Sequence, residues 1–142
     1  MEVTVVSGNQ PYAVEIHGGP HAWHADEPVE AGGGDSGPNP KSLLLGSLGA
    51  CMAITVCMYA ARKQWPLQGV SVRLRLLDSG ANGDGTGIDV QIDLAGELTA
   101  ADRERLLHVA NACPIHRLLT GHVDIFVALA GPARTASGET PA

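Results

Sequence analysis

The sequence has few basic residues and no cluster of them. Nine Lys and Arg stand against fifteen Asp and Glu, which gives a net charge of -6. Binding to nucleic acid or to an anionic membrane surface needs concentrated positive charge, so this balance argues against both partners. The first residues also lack the basic start and the apolar core of a signal peptide, so we expect a cytoplasmic protein.

Cysteine is scarce as well: the chain has three, Cys51, Cys57 and Cys113. An odd number of cysteines without an export signal makes a structural disulfide framework a poor explanation. Intracellular thiols that lie near one another are more often catalytic, redox-sensing or metal-bound. A single free cysteine, in contrast, commonly packs as a small hydrophobic residue.

The longest feature of the sequence is the uncharged segment over residues 43–61. Asn39 can cap a helix there, Pro40 fits the first helical position, and Pro66 discourages helix at Trp65. Apolar residues fall on every face, which predicts a buried central helix. A membrane span is the alternative, but the small and polar residues in the segment and the half-buried strands around it argue against one.

Alternating apolar and polar residues predict strands on both sides of this helix. They cover residues 3–5, 12–17, 22–25, 70–76, 88–94 and 123–129. A second helix is predicted to begin near Thr99, with Asp102 in capping-box-like spacing. Its predicted buried side consists of Leu106, Leu107, Val109 and Ala110.

A short third helix is predicted from Cys113 and Pro114 to a stop near Gly121. At 142 residues the chain is most simply one domain. We place that domain over residues 1–130, and we expect residues 131–142, rich in Ala, Thr, Pro and Gly, to be a disordered tail.

Two glycine-rich loops suggest ligands only weakly. Residues 31–37 lack the Lys-Ser/Thr ending of a phosphate-binding loop, so a plain connection is the simpler interpretation. Residues 78–89 partly match a calcium loop, but Gly80 and Asp89 depart from its third and twelfth positions. Turn chemistry explains those residues without an ion.

Metal sites built from His and Cys are also possible in principle. His17, His21 and His24 do not share one face of a strand, and Cys51 and Cys57 point to different faces of one helix. A zinc site from Cys51, Cys57, Cys113 and His116 would therefore need distortion. We predict no metal and interpret Cys57 as a core residue.

Cys51 needs a partner from elsewhere in the chain. Cys57 is about 9 Å away along the helix axis, which is too far for a disulfide within the helix. Cys113 precedes Pro114 at the start of a predicted helix, where free N–H groups favour a thiolate. A dithiol reaction needs one sulfur to attack and a second to resolve, and the two need not be close in sequence.

The residues around both cysteines match a known pattern. Gly37-Pro38-Asn39-Pro40 through Cys51, followed later by Cys113-Pro114-Ile115-His116-Arg117, resembles the OsmC/Ohr family of thiol peroxidases. The resemblance implies an α+β class with an OsmC-like fold, in which antiparallel sheets surround a long buried central helix. It also implies an intertwined homodimer.

The resemblance further implies roles for the cysteines. Cys51 would be the peroxidatic residue, which an organic hydroperoxide oxidises to a sulfenic acid. Cys113 would be the resolving residue, which condenses with it to a disulfide, and an external dithiol would reduce that disulfide. No cofactor is implied.

The chain departs from the family near its active site. The family carries an Arg in the N-terminal strand region and a Glu near the position of Lys41, whereas this chain has no Arg before Arg62. Arg117 is a candidate thiolate stabiliser, and a solvated surface cation is the alternative interpretation of it. The second hypothesis is therefore a non-enzymatic redox-sensing or ligand-binding dimer.

Overall fold

The computed structural model describes residues 1–77 and 86–131. Within these residues, three α-helices and two antiparallel sheets confirm the α+β class. The first sheet has the order β1-β2-β3 and the second is the hairpin β4-β5. The elements are β1 (Thr4–Ser7), β2 (Val14–Gly18), β3 (His21–Ala25), α1 (Pro40–Lys63), β4 (Leu67–Leu77), β5 (Gly87–Gly96), α2 (Ala100–Asn111) and α3 (Pro114–Thr120).

The predicted central helix is confirmed as α1, and its ends have the predicted chemistry. The Asn39 side chain accepts a hydrogen bond from the Ser42 N–H at 2.8 Å, and Pro40 occupies the first turn. At the other end Gln64 adopts a left-handed conformation with φ 57°, and its N–H bonds back to the last turn. These caps fix where α1 begins and ends.

One stripe of α1 is buried in the chain. Leu48, Met52, Val56 and Ala60 recur every four residues and pack into the core with α2 and the hairpin. The opposite side is exposed although it is apolar, and Cys57 lies on that exposed side. The interpretation of Cys57 as a core residue is therefore wrong for the single chain. By length and composition α1 could cross a membrane, as the core helices of many soluble proteins also could.

The hairpin β4-β5 covers the buried stripe. Its alternating pattern is confirmed: half-buried apolar residues face α1, while Arg73 and Arg75 lie on the exposed face opposite Gln91 and Asp89. Gly49 allows the close approach of α1 to this sheet, because a Cβ there would lie 2.7 Å from the Leu74 side chain. The loop over residues 78–89, which partly matches a calcium loop, falls mostly on residues 78–85, outside the described residues.

Helix α2 packs on α1 through a narrow stripe. Its predicted capping box is present: the Asp102 N–H donates to the Thr99 hydroxyl, and the Thr99 N–H donates to the Asp102 carboxylate. Leu106 and Ala110 are buried, but Leu107 is 50% exposed, so its prediction as a core residue is wrong. A turn of about 100° separates Leu107 from Leu106, which carries it past the edge of the packed stripe.

The strand predicted over residues 123–129 is absent from the described structure. Residues 122–131 form neither helix nor strand, and every one of them is exposed. An alternating sequence forms a strand only where another strand's backbone can pair with it, and no described strand of this chain does so here. The prediction of a disordered tail concerns mainly residues 132–142, which lie outside the described residues, and the domain limits stay a prediction.

A buried carboxylate holds the loop that leads into α1. Asp26 is 2% exposed, and its oxygens accept from Glu27 N–H, Gly34 N–H, Ser36 N–H and the Ser36 hydroxyl at 2.8 to 3.1 Å. The Ser36 hydroxyl is the largest of the contacts that lower the pKa of Asp26. The Gly34 N–H and the Ser36 N–H of the glycine-rich loop are therefore already bound to the Asp26 carboxylate rather than to an external anion.

Candidate active site

Cys51 lies in the middle of α1, half-buried at the margin of the packed stripe. Its sulfur accepts a hydrogen bond from the Ile115 N–H at 3.5 Å. Its carbonyl oxygen accepts from the Thr55 hydroxyl at 2.6 Å, within the same helix. The residue is thus placed by a rigid element, and its sulfur faces the start of α3.

Cys113 caps the N-terminus of α3. It has extended backbone angles, is fully buried, and its sulfur accepts from the His116 N–H at 3.3 Å. The proline at the next position, Pro114, has no N–H to donate. The next two residues each donate to a different sulfur. The Ile115 N–H binds the Cys51 sulfur, and the His116 N–H binds the Cys113 sulfur.

The two cysteines are close neighbours in space. Both are free thiols, their sulfurs accept from the N–H groups of two consecutive residues, and Cys51 packs against the core cluster that contains Cys113. Burial is the main cause that raises the pKa of Cys113, and the contact with Cys51 raises it further. The His116 N–H and the Ile115 N–H act in the opposite direction. Burial outweighs them and keeps Cys113 protonated, so the expectation that this helix start favours a thiolate on Cys113 is wrong. Cys51 is half-buried and is the more accessible of the two.

The other predicted site residues do not join this pair through a described contact. The Arg117 side chain is exposed, and within residues 1–77 and 86–131 it has no hydrogen bond or ion pair. Cys57 lies on the other side of α1. No group of three His, Cys, Asp or Glu suited to a metal occurs in the described part of the chain.

The three N-terminal histidines are far from forming one cluster. The register of β2 and β3 puts His24 opposite Glu15, on the same face as His17, while His21 is opposite Gly18 on the other face. His17 contacts Glu15 at 3.4 Å. The prediction that strand alternation does not gather all three histidines on one face is confirmed.

A cavity of about 390 Å³ lies between α1, β5 and α3, and sequence neighbours of the cysteines line it, although neither cysteine does. Leu48 and Met52 line it from α1, on either side of Cys51 in sequence, and His116 lines it from α3. The other lining residues are the apolar Ile88, Val90 and Leu119 and the polar Thr86, Asn111 and Thr120. Its size is within the range of small-molecule pockets.

Sequence reasoning missed one functional group, the backbone N–H of Ile115. The Cys113-Pro114 start of a helix indicated free N–H groups for Cys113 itself. The step that could not be seen is that α3 docks on α1, so that the first of those groups reaches Cys51 instead. A backbone donor leaves no mark in the side-chain sequence.

The fold and the cysteine pair together define a class: an α+β protein in which a central helix and the N-cap of a short helix bring two free thiols close together. The sequence profile of the OsmC-like protein family matches residues 32–127. That match covers more than half of the chain. The chain belongs to the OsmC-like protein family, as the sequence resemblance indicated.

Solved structures have the same fold at low sequence identity. An OsmC-like protein from Mycoplasma pneumoniae is 20% identical with a TM-score of 0.71, over 84% of this chain and 86% of that one. The organic hydroperoxide resistance protein OsmC from Legionella pneumophila is 22% identical with a TM-score of 0.61, over 87% and 90%. OhrB, the organic hydroperoxide resistance protein of Bacillus subtilis, is 22% identical with a TM-score of 0.57, over 87% of this chain and 92% of that one. No curated protein matches the sequence.

Proposed function

We propose that the protein is a thiol peroxidase that reduces organic hydroperoxides through Cys51 and Cys113. The Cys51 thiolate attacks one oxygen of the O–O bond, that bond breaks, and the alkoxide leaves and takes a proton to become an alcohol. Cys51 becomes a sulfenic acid. The Cys113 sulfur then attacks the Cys51 sulfur, a disulfide forms, and water leaves.

The proximity of the two thiols, whose sulfurs accept from the consecutive N–H groups of Ile115 and His116, is the observation that carries this proposal. A sulfenic acid on Cys51 would form next to its resolving thiol, so no large movement is needed before the disulfide closes. The raised pKa of Cys113 keeps that residue protonated. Since a thiol is a poor nucleophile compared with a thiolate, Cys113 would not compete with Cys51 for the hydroperoxide. These properties support Cys51 as peroxidatic and Cys113 as resolving.

The Ile115 N–H helps to position the Cys51 sulfur for attack. It donates to that sulfur at 3.5 Å from the start of α3. In this proposal the backbone of α3 substitutes in part for the Arg and Glu that the chain lacks. Arg117 remains a candidate for a further contribution, which a second subunit or bound substrate would have to bring into contact.

The cavity beside the pair supports an organic substrate. Five of its lining residues are apolar, and two of these, Leu48 and Met52, lie near Cys51 in sequence. Such a cavity suits the organic group of a hydroperoxide better than hydrogen peroxide, which is small and polar. The names of the Legionella and Bacillus structures, which are organic hydroperoxide resistance proteins, point to the same substrate class.

The proposal includes a cytoplasmic homodimer and an external dithiol as reductant. Apolar residues Leu44, Ile54 and Met58 are exposed on α1, where a second copy of the chain would cover them. The disulfide would be reduced by exchange: the first thiol of the reductant attacks it, and the second releases the reduced enzyme. No cofactor takes part in this cycle.

The test is oxidation of the reduced protein by tert-butyl hydroperoxide, followed by mass spectrometry. We expect a loss of two hydrogens at about one equivalent, with the disulfide mapped to Cys51 and Cys113. Cys113→Ser should stop at one added oxygen on Cys51, and Cys51→Ser should not react. Cys57→Ser is the matched control and should behave as the unaltered chain does, since Cys57 lies away from the pair.

The second candidate is a non-enzymatic redox-sensing or ligand-binding dimer. The observation in its favour is that no side-chain cation contacts either sulfur within the described residues. In that case the disulfide would form slowly, or sulfinic acid would accumulate at excess hydroperoxide. Repeated turnover with a small dithiol such as dithiothreitol would exclude this candidate, and its failure would contradict the enzyme.

A further inference from the structure

A cluster of three cations surrounds one tyrosine at the C-terminal end of α1. The Arg62 guanidinium and the Lys63 ammonium lie 5.8 Å from the centre of the Tyr59 ring, and the Arg105 guanidinium lies 5.4 Å from it. Arg105 comes from α2 and donates from Nε to the Tyr59 hydroxyl at 2.9 Å. Two helices thus direct positive charge to one point.

The cluster has no acidic partner in the described part of the chain. The ion pairs found there join His17 to Glu15, Arg75 to Asp89 and His122 to Asp124. The chain has only nine Lys and Arg and a net charge of -6, so three cations together are a local reversal of its overall charge. Their mutual repulsion is unfavourable, and the attraction of each cation to the ring only partly offsets it.

The groups that remain available here are donors. Tyr59 accepts from Arg105 and keeps its own phenolic O–H to donate, and the guanidinium and ammonium groups have further N–H bonds but no acceptor atoms. The hydrogen bond from Arg105, and then the nearby charges, hold the pKa of Tyr59 below its usual value. The environment therefore favours negative charge.

We propose that Tyr59, Arg62, Lys63 and Arg105 form a binding site for a small anion that carries a phosphate or carboxylate group. The cations converge on one ring, which matches the size of a single anionic group rather than an extended polyanion. Planar guanidinium groups and a nearby O–H suit the oxygens of either group. Tyr59 follows Cys51 by eight residues, about 12 Å along the helix axis, so this site is separate from the thiols.

The test uses inorganic phosphate and, separately, acetate, each titrated at constant ionic strength. Trp65 packs edge-on against Tyr59 with 5.7 Å between ring centres, so its fluorescence should report occupancy. We expect a saturable change with at least one of the two anions, and a rise in the midpoint of thermal unfolding with the same anion. The anion that binds more tightly distinguishes the phosphate class from the carboxylate class.

Variants separate this site from general charge effects. Arg105→Gln and Arg62→Gln should each weaken binding about tenfold, the usual scale of one lost charge-assisted contact. Arg73→Gln is the matched control, because Arg73 is an exposed cation that contacts Gln91 on the hairpin, and it should leave binding unchanged. Since Arg105 also holds Tyr59, the Arg62 variant keeps the test valid if Arg105→Gln fails to fold.

Two results would overturn the proposal. One is a fluorescence change that does not saturate with either anion, or a loss of binding that is as large in Arg73→Gln as in Arg62→Gln and Arg105→Gln. The other is a shift of the Arg62 or Arg105 variant from dimer to monomer without any anion effect in the unaltered chain. That result would assign the cations to a contact between subunits instead.

Discussion

Asp26 is a buried charged residue whose carboxylate is held by hydrogen bonds from four donors. These contacts lower its pKa in the folded chain, with the Ser36 hydroxyl first among them. The folded state therefore binds the proton more weakly than the unfolded state does. The stability that Asp26 contributes is fully present above its ordinary pKa of 3.8 and is lost as the pH falls through the lower, folded pKa.

We predict that Asp26→Asn lowers the unfolding midpoint at pH 7 and flattens the fall of stability in acid. An amide places N–H groups where the loop offers donors, so the contacts with Gly34 and Ser36 are lost. Urea unfolding at pH 7, 5, 4 and 3 measures both effects. Asp35→Asn is the control, because Asp35 is exposed in the same loop. Equal acid sensitivity in both variants would contradict the role of Asp26.

The two sulfurs should also differ in reactivity. Cys113 is fully buried and its pKa is raised by that burial, whereas Cys51 is half-buried. We predict that iodoacetamide at pH 8 modifies Cys51 well before Cys113 in the folded protein. Peptide mass spectrometry over time gives the two rates, and the same reaction in urea, where both are exposed, is the control. Equal rates in the folded state would argue against a protected resolving thiol.

At the scale of elements, α2 shows how narrow a packed helix face is. Leu106 is fully buried between the helices, while Leu107 beside it is half exposed. We predict that Leu106→Ala lowers the free energy of unfolding by about 2–5 kcal/mol, because it leaves a cavity in the core. Leu107→Ala should cost about 0.5 kcal/mol or less. Chemical denaturation of both variants tests the difference, and similar losses would show that both faces are packed.

Much of this element structure could be predicted because its signals are local. The Asn39 and Thr99 caps, the Cys113-Pro114 start and the alternating hairpin each depend on neighbours a few residues away. The exposure of Leu107 and Cys57 was not predictable in this way, since it depends on which stripe of a helix meets another element. The same holds for the Ile115 N–H at Cys51, which exists only because α3 docks on α1.

At the scale of the whole molecule, the single chain leaves too much apolar surface uncovered. Beyond Gly121, Ile125 is 80% exposed, Phe126 93%, Val127 91% and Leu129 99%. Side chains of this kind are rarely left so exposed in series by a monomer. Val123, Ile125, Val127 and Leu129 alternate in the way that is typical of a strand. We therefore expect a sheet edge of a second copy to pair with this backbone and to cover the face that these four side chains share.

We predict that removal of residues 122–142 weakens the proposed homodimer. The truncated chain should lose the strand-forming segment but keep α1, the hairpin and the cysteine pair, which all lie before it. Light scattering after gel filtration, over a range of protein concentrations, measures the dissociation. A truncated chain that dimerises as tightly as the full chain would show that this segment is not part of the contact.

The exposed side of α1 should be the other half of that contact. Ile54 is 58% and Met58 64% exposed, four residues apart on one face, so both would meet the same partner surface. A carboxylate buried there without a counter-charge is strongly unfavourable, so Met58→Glu should convert the dimer to a monomer. Gln68→Glu, at an exposed position on β4, adds the same charge and should leave the dimer intact. If Met58→Glu also stays dimeric, subunits associate through another surface and the apolar side of α1 needs a different occupant.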